Sequence, residues 1–175
     1  MRVIAGTLGG RLFDSPGTQR THPMSDKARG ALFNMLGDIK GLSVLDAFGG
    51  TGALSFEAIS RGARNVITID DDKAAQKTIE RNIETLGLEE KVELVKAGAG
   101  PWMRRHQDAK FDIILCDPPY NDPQFNVLDR LAAHVKPDGI FVLSWPSSVE
   151  IPVFPGITQI EQRAHGDLRL IFYRR

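Results

Sequence analysis

The order of its apolar segments most constrains how this chain can fold. Short apolar runs, bounded by Gly, Asp or Pro, alternate with longer stretches in which apolar residues recur at helical spacing. A strand that is apolar nearly throughout is covered on both faces, as in a parallel sheet flanked by helices. The pattern therefore predicts an α/β fold with a mostly parallel sheet. The five predicted strands cover residues 43–48, 65–70, 92–96, 111–116 and 139–145.

The intervening stretches predict the helices. Apolar spacing indicates helices over residues 52–61 and 72–86, and a short helix that opens at Pro101. Asp122 followed by Pro123 is typical of a helix N-cap with proline in the first turn, and predicts a helix to about Val135.

Both ends of the chain lie outside this alternation. Residues 157–163 and 167–174 predict an antiparallel hairpin at one sheet edge. Residues 2–5 and 11–13 flank a glycine-rich turn and predict a small N-terminal hairpin, followed by a helix from the Ser25 cap to about Leu36. We divide the chain into an N-terminal appendage over residues 1–40 and an α/β domain over residues 41–175.

Composition narrows the function classes. The 175 residues carry 22 basic and 22 acidic side chains, so the net charge is zero and does not itself indicate a nucleic acid or a membrane as partner. The appendage nevertheless holds six basic and three acidic residues. A single cysteine, Cys116, cannot form an internal disulfide, and no apolar run approaches the ~18 residues of a membrane helix. We expect a cytoplasmic monomer without metal, since the four histidines show no ligand spacing.

A glycine-rich loop follows the first predicted strand. In an open α/β sheet the ligand crevice lies beyond the carboxyl ends of the strands, where glycines let the backbone approach a ligand closely. Asp70 ends the next strand, where a carboxylate can accept hydrogen bonds from ribose hydroxyls. The loop residues predicted to bind a nucleoside cofactor are Asp46, Phe48, Gly49, Gly50, Thr51 and Gly52.

Two cofactors fit this loop. A dinucleotide needs the spacing G-x-G-x-x-G, but here Ser55 stands at the third glycine position. S-adenosylmethionine has no pyrophosphate, its carboxylate can use a helix N-terminus, and its ammonium suits an acid such as Asp46. The acid at the strand end favours S-adenosylmethionine.

A second motif, Asp117-Pro118-Pro119-Tyr120, ends the fourth predicted strand. The prolines fix the backbone and lack N–H groups, while Asp117 and the Pro118 carbonyl supply acceptors. These acceptors suit the two N–H bonds of a planar amine whose ring stacks on Tyr120. Holding the amine this way directs its lone pair at a methyl donor, so that orientation supplies much of the catalysis.

Together these motifs resemble class I S-adenosylmethionine-dependent methyltransferases that act on exocyclic or amide nitrogens. The N-terminal stretch 2–6, Gly10-Arg11 and the stretch 22–29 are similar to the RsmD family, which methylates N2 of a guanine in 16S ribosomal RNA. The resemblance implies a Rossmann-like, seven-stranded, mostly parallel sheet with helices on both faces and an N-terminal β-hairpin plus helix that help to hold RNA. The sequence lacks an acidic or amide side chain after the third strand, so backbone groups near Gly98 and Ala99 would meet the adenine. The residues expected to contact RNA phosphates are Arg2, Arg11, Arg20, His22, Lys27 and Arg29.

Other functions remain open from the sequence. The Asp-Pro-Pro-Tyr motif also serves adenine-N6 methyltransferases of DNA and methyltransferases of glutamine amides. Outside this chemistry, the fold would suit an RNA-binding ribosome-assembly factor without activity, or an NAD-dependent oxidoreductase. S-adenosylmethionine binding distinguishes the methyltransferase from both.

Overall fold

A computed structural model describes residues 1–17, 24–119, 122 and 124–175 of the chain. In chain order its elements are α1 (Asp26–Leu36), β1 (Ser43–Asp46), α2 (Ala53–Ser60), β2 (Asn65–Asp70), α3 (Lys73–Leu86), β3 (Val92–Lys96), α4 (Ala99–Arg105), β4 (Phe111–Cys116), α5 (Phe125–Ala132), β5 (Val135–Pro146), β6 (Thr158–His165) and β7 (Leu168–Arg174).

The strands form one seven-stranded sheet in the order β3-β2-β1-β4-β5-β7-β6. Strands β1 to β5 are parallel, and β7 lies antiparallel between β5 and β6. The chain order reverses between β1 and β4, so the loops that follow these two strands diverge and leave a crevice beyond their carboxyl ends. The predicted α/β sheet and its closing hairpin are confirmed.

Helices cover both faces of the sheet, because alternate strand residues point to opposite sides. Val44 and Ile113 contribute to one hydrophobic cluster, which includes buried residues of α1, α2 and α3. Their neighbours Leu45 and Ile114 contribute to the other, which includes buried residues of α4 and α5. This double burial explains why the central strands are apolar nearly throughout.

The first 40 residues share the core of the sheet. Val3, Phe13 and Phe33 are buried in the same cluster as β1, so the described residues of the N-terminal segment form no separate core. Ser25 caps α1 by accepting a hydrogen bond from the Ala28 N–H, as the sequence predicts. The N-terminal segment therefore packs as part of one domain.

The predicted N-terminal hairpin is confirmed as a short one: Arg2 and Leu12 form an antiparallel bridge, Val3 N donates to Arg11 O at 2.9 Å, and Phe13 N donates to Met1 O at 3.0 Å. The backbone N–H groups of Ile4 and Ala5, which follow in the chain, donate to the carboxylate of Glu57 on α2, at 2.7 and 3.2 Å. These two bonds attach the hairpin to α2.

The region around α5 differs from the prediction. The helix begins at Phe125 after Gln124, whose φ is 50°, and Asp122 is not its N-cap. It ends at Ala132, because the chain has already entered β5 at Val135. The fifth strand is predicted from residue 139 but begins at Val135, four residues earlier. The other predicted strands and helices lie within about two residues of the observed ones. In the part of the chain described, no helix is long and apolar enough to cross a membrane.

Candidate active site

Three carboxylates meet at the carboxyl edge of the sheet. Asp46 is the last residue of β1, Asp70 is the last residue of β2, and Asp117 directly follows β4. The parallel registers place Asp46 beside Leu115 of β4 and Thr68 of β2. The three strands thus deliver negative charge to one crevice from separate parts of the chain.

The glycine loop is held against β2. Gly49 N donates to Ile69 O at 2.8 Å, and Gly50 N donates to Asp70 Oδ2 at 2.7 Å. Gly52 has a φ of 79°, and a Cβ there would lie 2.5 Å from the Phe56 ring. A Cβ on Gly49 would lie 2.5 Å from Thr68 Oγ1. The loop therefore needs glycine at both positions, as its predicted role requires.

Asp46 is fully buried and only partly satisfied. Its Oδ2 accepts a hydrogen bond of 2.7 Å from Ser55 Oγ, and the Phe48 N–H also donates to it. Its Oδ1 is buried and has no partner among the described residues. Burial, together with the nearby charges of Asp117 and Asp70, raises the pKa of Asp46 to about 7 against the pull of the Ser55 hydrogen bond.

Asp70 is oriented by backbone donors at the head of α3. Besides the bond from Gly50 N, its Oδ1 accepts one of 2.8 Å from Asp72 N. Burial raises the pKa of Asp70, and these two backbone bonds oppose the rise. A carboxylate oxygen accepts more than one hydrogen bond, so each oxygen retains capacity for a ligand hydroxyl.

Asp117 lies at the boundary of the core. It is partly buried, Pro118 is buried and Pro119 is exposed. Burial raises the pKa of Asp117 to about 6, and a hydrogen bond with Ser144 of β5 opposes the rise. The Asp122 N–H donates to Pro119 O at 3.0 Å, which closes the turn. Tyr120 lies outside the described residues, so its stacking face stays a prediction.

The loop after β3 leads directly into α4. Gly98 is the N-cap of α4 and Ala99 is its first, buried residue, so their contact with an adenine ring stays a prediction. Trp102 is 5% exposed and stacks on the His106 ring, with 4.5 Å between ring centroids. It is a core residue of α4.

Arg29 is not an RNA contact, which corrects the sequence prediction. Its side chain is fully buried, and Nη2 donates to Arg2 O at 2.8 Å and to Asp26 Oδ1 at 2.9 Å. Its Nε lies 4.0 Å from Glu57 Oε2. Because the guanidinium of Arg29 is bound to groups inside the protein, Arg29 attaches the N-terminal segment to the core and does not face solvent.

The other basic residues of the segment differ in availability. Arg11 donates to Leu86 O and Thr85 O at the end of α3, which occupies its guanidinium. Arg2 is exposed and pairs with Asp26 at 3.2 Å, and Lys27 is exposed. The two further predicted contacts, Arg20 and His22, lie outside the described residues.

Two serines that were not expected from the sequence orient the acids. Ser55 stands where a dinucleotide site needs glycine, and its fully buried hydroxyl holds Asp46. Ser144 is a buried polar residue inside the apolar strand β5 and bonds to Asp117. A serine within an otherwise apolar strand, level with the end of the neighbouring strand, is the signal that could have identified Ser144.

These features fit S-adenosylmethionine. The unpartnered Asp46 Oδ1 suits a cationic or N–H donor, Asp70 suits ribose hydroxyls, and the glycines leave room for close approach. The strand order and the loop define a class I methyltransferase fold, and S-adenosylmethionine is the methyl donor of that class.

Comparison with known proteins identifies the family. The model of the family described as "Conserved hypothetical protein 95" matches residues 1–174. "Putative rRNA methyltransferase YlbH" of Bacillus subtilis is 31% identical over 100% of this chain and 99% of its own length. "Ribosomal RNA small subunit methyltransferase D" of Haemophilus influenzae is 31% identical over 74% of this chain and 67% of its own length. The chain belongs to this family, the RsmD family.

A solved structure has the same fold. "Putative methyltransferase yhhF" of Escherichia coli superposes with a TM-score of 0.89 at 24% identity, over 100% of this chain and 97% of that chain. The superposition includes the N-terminal segment, since it covers both chains nearly end to end.

Proposed function

We propose that this chain transfers a methyl group from S-adenosylmethionine to the exocyclic N2 amine of a guanine in 16S, small-subunit ribosomal RNA. The observation that carries the proposal is the position of Asp117, held by Ser144, at the same sheet edge as the glycine loop and Asp46. The names of relatives in Bacillus and Haemophilus support ribosomal RNA as the substrate class.

The chain's own groups would hold the cofactor on one side of the crevice. Asp46 presents a buried carboxylate for the ammonium, Asp70 accepts from the ribose, and residues 49–52 line the approach. When bound, S-adenosylmethionine supplies a methyl group on a positively charged sulfur. The helix α2 begins directly after the loop, so its N-terminus faces the same space and suits the methionyl carboxylate.

Asp117 and the Pro118 carbonyl would accept the two amine protons on the other side. An aromatic amine is a weak nucleophile because its lone pair is delocalised into the ring. Two accepted hydrogen bonds favour a pyramidal nitrogen and fix the direction of its lone pair. Asp117 must be ionised to accept in this way, and with a pKa of about 6 it is ionised at neutral pH.

The target base must leave its stack to reach Asp117. Extrusion of a nucleotide costs a few kcal/mol, and stacking on one aromatic ring returns about 1–3 kcal/mol. Phosphate contacts must therefore contribute to binding. Arg2 and Lys27 are exposed on the N-terminal segment and suit that role, and Arg20 and His22 extend the prediction.

Transfer of labelled methyl groups to four substrates tests the function. They are small ribosomal subunits that lack the modification, protein-free 16S ribosomal RNA, duplex DNA and a release-factor peptide. We expect label on the ribosomal substrates, and loss of that label with Asp117→Ala. Label only on DNA or on the peptide would contradict the proposal, and no S-adenosylmethionine binding at millimolar concentration would favour a binding protein without activity.

A further inference from the structure

Phe125 is an exposed aromatic residue that follows the Asp117 to Tyr120 motif in the chain. The exposed large apolar side chains of the described residues are Leu12, Phe125, Val149, Val153 and Ile160. Phe125 is the aromatic member of this set, with 52% of its surface accessible. It is the first residue of α5, the helix that follows the Asp117 to Tyr120 motif.

The exposure of Phe125 arises from its place on the helix. Residues 125, 128 and 132 lie on one face of α5, and Leu128 and Ala132 on that face are fully buried against the sheet. Phe125 continues this apolar stripe by one turn, where the sheet no longer covers it. The ring is thus attached to the core at one end and open to solvent at the other.

The ring is also fixed in place. It packs edge-on against Trp145, with 5.4 Å between centroids and an interplanar angle of 71°. Trp145 is 1% exposed, and its Nε1 donates to Glu150 O at 2.9 Å. A ring held by a buried, hydrogen-bonded partner has little freedom to lose when a ligand stacks on it.

Strand register relates the ring to the reaction centre. Cys116 of β4 pairs with Leu143 of β5, so Ser144 lies beside Asp117 and Trp145 lies one residue further along. The chain therefore supports Phe125 through the residue next to the one that holds Asp117. The ring therefore lies at the carboxyl edge of the sheet, the edge that also carries Asp117.

From this geometry, and resting on the proposed function, we infer that Phe125 is a stacking platform for the RNA nucleotide next to the target guanine. A ring that is half open to solvent suits a base that stays at the surface, while the target enters at Asp117. Such stacking offsets part of the cost of extrusion and requires no particular base, because every base has an aromatic face. Its effect falls on RNA binding, since Phe125 touches neither the methyl donor nor the amine.

Three variants test the inference in the full chain, with unmodified small subunits as substrate. Phe125→Leu keeps apolar contact with Trp145 and removes the aromatic face, whereas Phe125→Tyr keeps the face. Ile160→Ala is the matched control, because Ile160 is 48% exposed but lies on β6, the last strand of the sheet. Thermal unfolding and calorimetry with S-adenosylmethionine verify that fold and cofactor binding are retained.

For Phe125→Leu we expect KM for subunits to rise about 5- to 150-fold, which corresponds to about 1–3 kcal/mol at 1.4 kcal/mol per tenfold. We expect kcat within about threefold of wild type, and Phe125→Tyr and Ile160→Ala close to wild type in both constants. A KM for Phe125→Leu within twofold of wild type, a loss confined to kcat, or an equal defect in Phe125→Tyr would overturn the inference alone. A wild-type chain that methylates no subunits would overturn the proposed function, and with it the RNA ligand of Phe125.

Discussion

Replacement of Asp46 by asparagine should stabilise the protein without its cofactor at alkaline pH. The raised pKa of about 7, against 3.8 for an ordinary aspartate, means that ionisation of this carboxyl opposes folding. The stability that the protonated carboxyl contributes is complete below the unfolded pKa and is lost as the pH rises through the folded pKa. Three pKa units correspond to about 4 kcal/mol, of which roughly 2–3 kcal/mol is lost between pH 5 and pH 8.

The assay is urea unfolding of wild type and Asp46→Asn at about pH 5 and pH 8, without cofactor. The asparagine carries no charge, and its side-chain oxygen can still accept from Ser55 Oγ. We expect the variant to gain roughly 2–3 kcal/mol relative to wild type between the two pH values. The same pH dependence of the unfolding free energy in the two proteins would contradict the raised pKa of Asp46.

The same substitution should weaken cofactor binding. If Asp46 must be ionised to hold the ammonium, the competent fraction of wild type rises about tenfold between pH 6 and pH 8. Calorimetry should show this rise in affinity for wild type and a weak, flat profile for Asp46→Asn. Equal affinities of the two proteins for S-adenosylmethionine at pH 8 would show that Asp46 does not bind the cofactor.

Three further predictions follow from single contacts. Asp117→Ala should lower kcat at least about 100-fold and leave the affinity for S-adenosylmethionine within a few-fold of wild type. Ser144→Ala should move the rising limb of the pH–rate profile, near pH 6, to higher pH, because the hydrogen bond that lowers the pKa of Asp117 is lost. An unchanged limb would contradict the pairing of Ser144 with Asp117. Arg29→Met should lower the free energy of unfolding in urea by about 3–5 kcal/mol, because it leaves Glu57 and the backbone carbonyls with fewer partners. Lys27→Met should leave this free energy unchanged and weaken RNA binding at low salt. Equal stability of the two variants would contradict the buried position of Arg29. Gly52→Ala should destabilise the protein more than Gly87→Ala. Both glycines have a positive φ, but an added Cβ meets the Phe56 ring at 2.5 Å at Gly52 and no atom within 4 Å at Gly87. Equal unfolding free energies of the two variants would show that the loop can move.

The central strands could be predicted because their apolar character follows from burial on both faces. The strands over residues 65–70 and 111–116 have the predicted bounds, and so does the strand over residues 92–96 at the edge of the sheet. The acids of the site could be predicted too, since the ends of parallel strands meet at one edge. Asp46, Asp70 and Asp117 each end or directly follow a strand, and their place in the crevice follows from topology.

The remaining features depend on partners far away in the chain. The attachment of the N-terminal hairpin to α2 could not be predicted, because Glu57 binds the N–H groups of Ile4 and Ala5 across more than 50 residues of the chain. Arg29 was misread because its charge is visible in the sequence and its burial is not. Ser55 was interpreted only as a missing glycine, since its bond to Asp46 exists once α2 packs on β1.

Nucleoside analysis of the ribosomal RNA tests the central claim most directly. Small subunits that lack the modification would be incubated with the protein and S-adenosylmethionine, the RNA digested to nucleosides, and the products separated by mass spectrometry. The proposed clamp at Asp117 and Pro118 predicts N2-methylguanosine with wild type and none with Asp117→Ala. A methyl group on adenosine, on a ring nitrogen or on a ribose would contradict it.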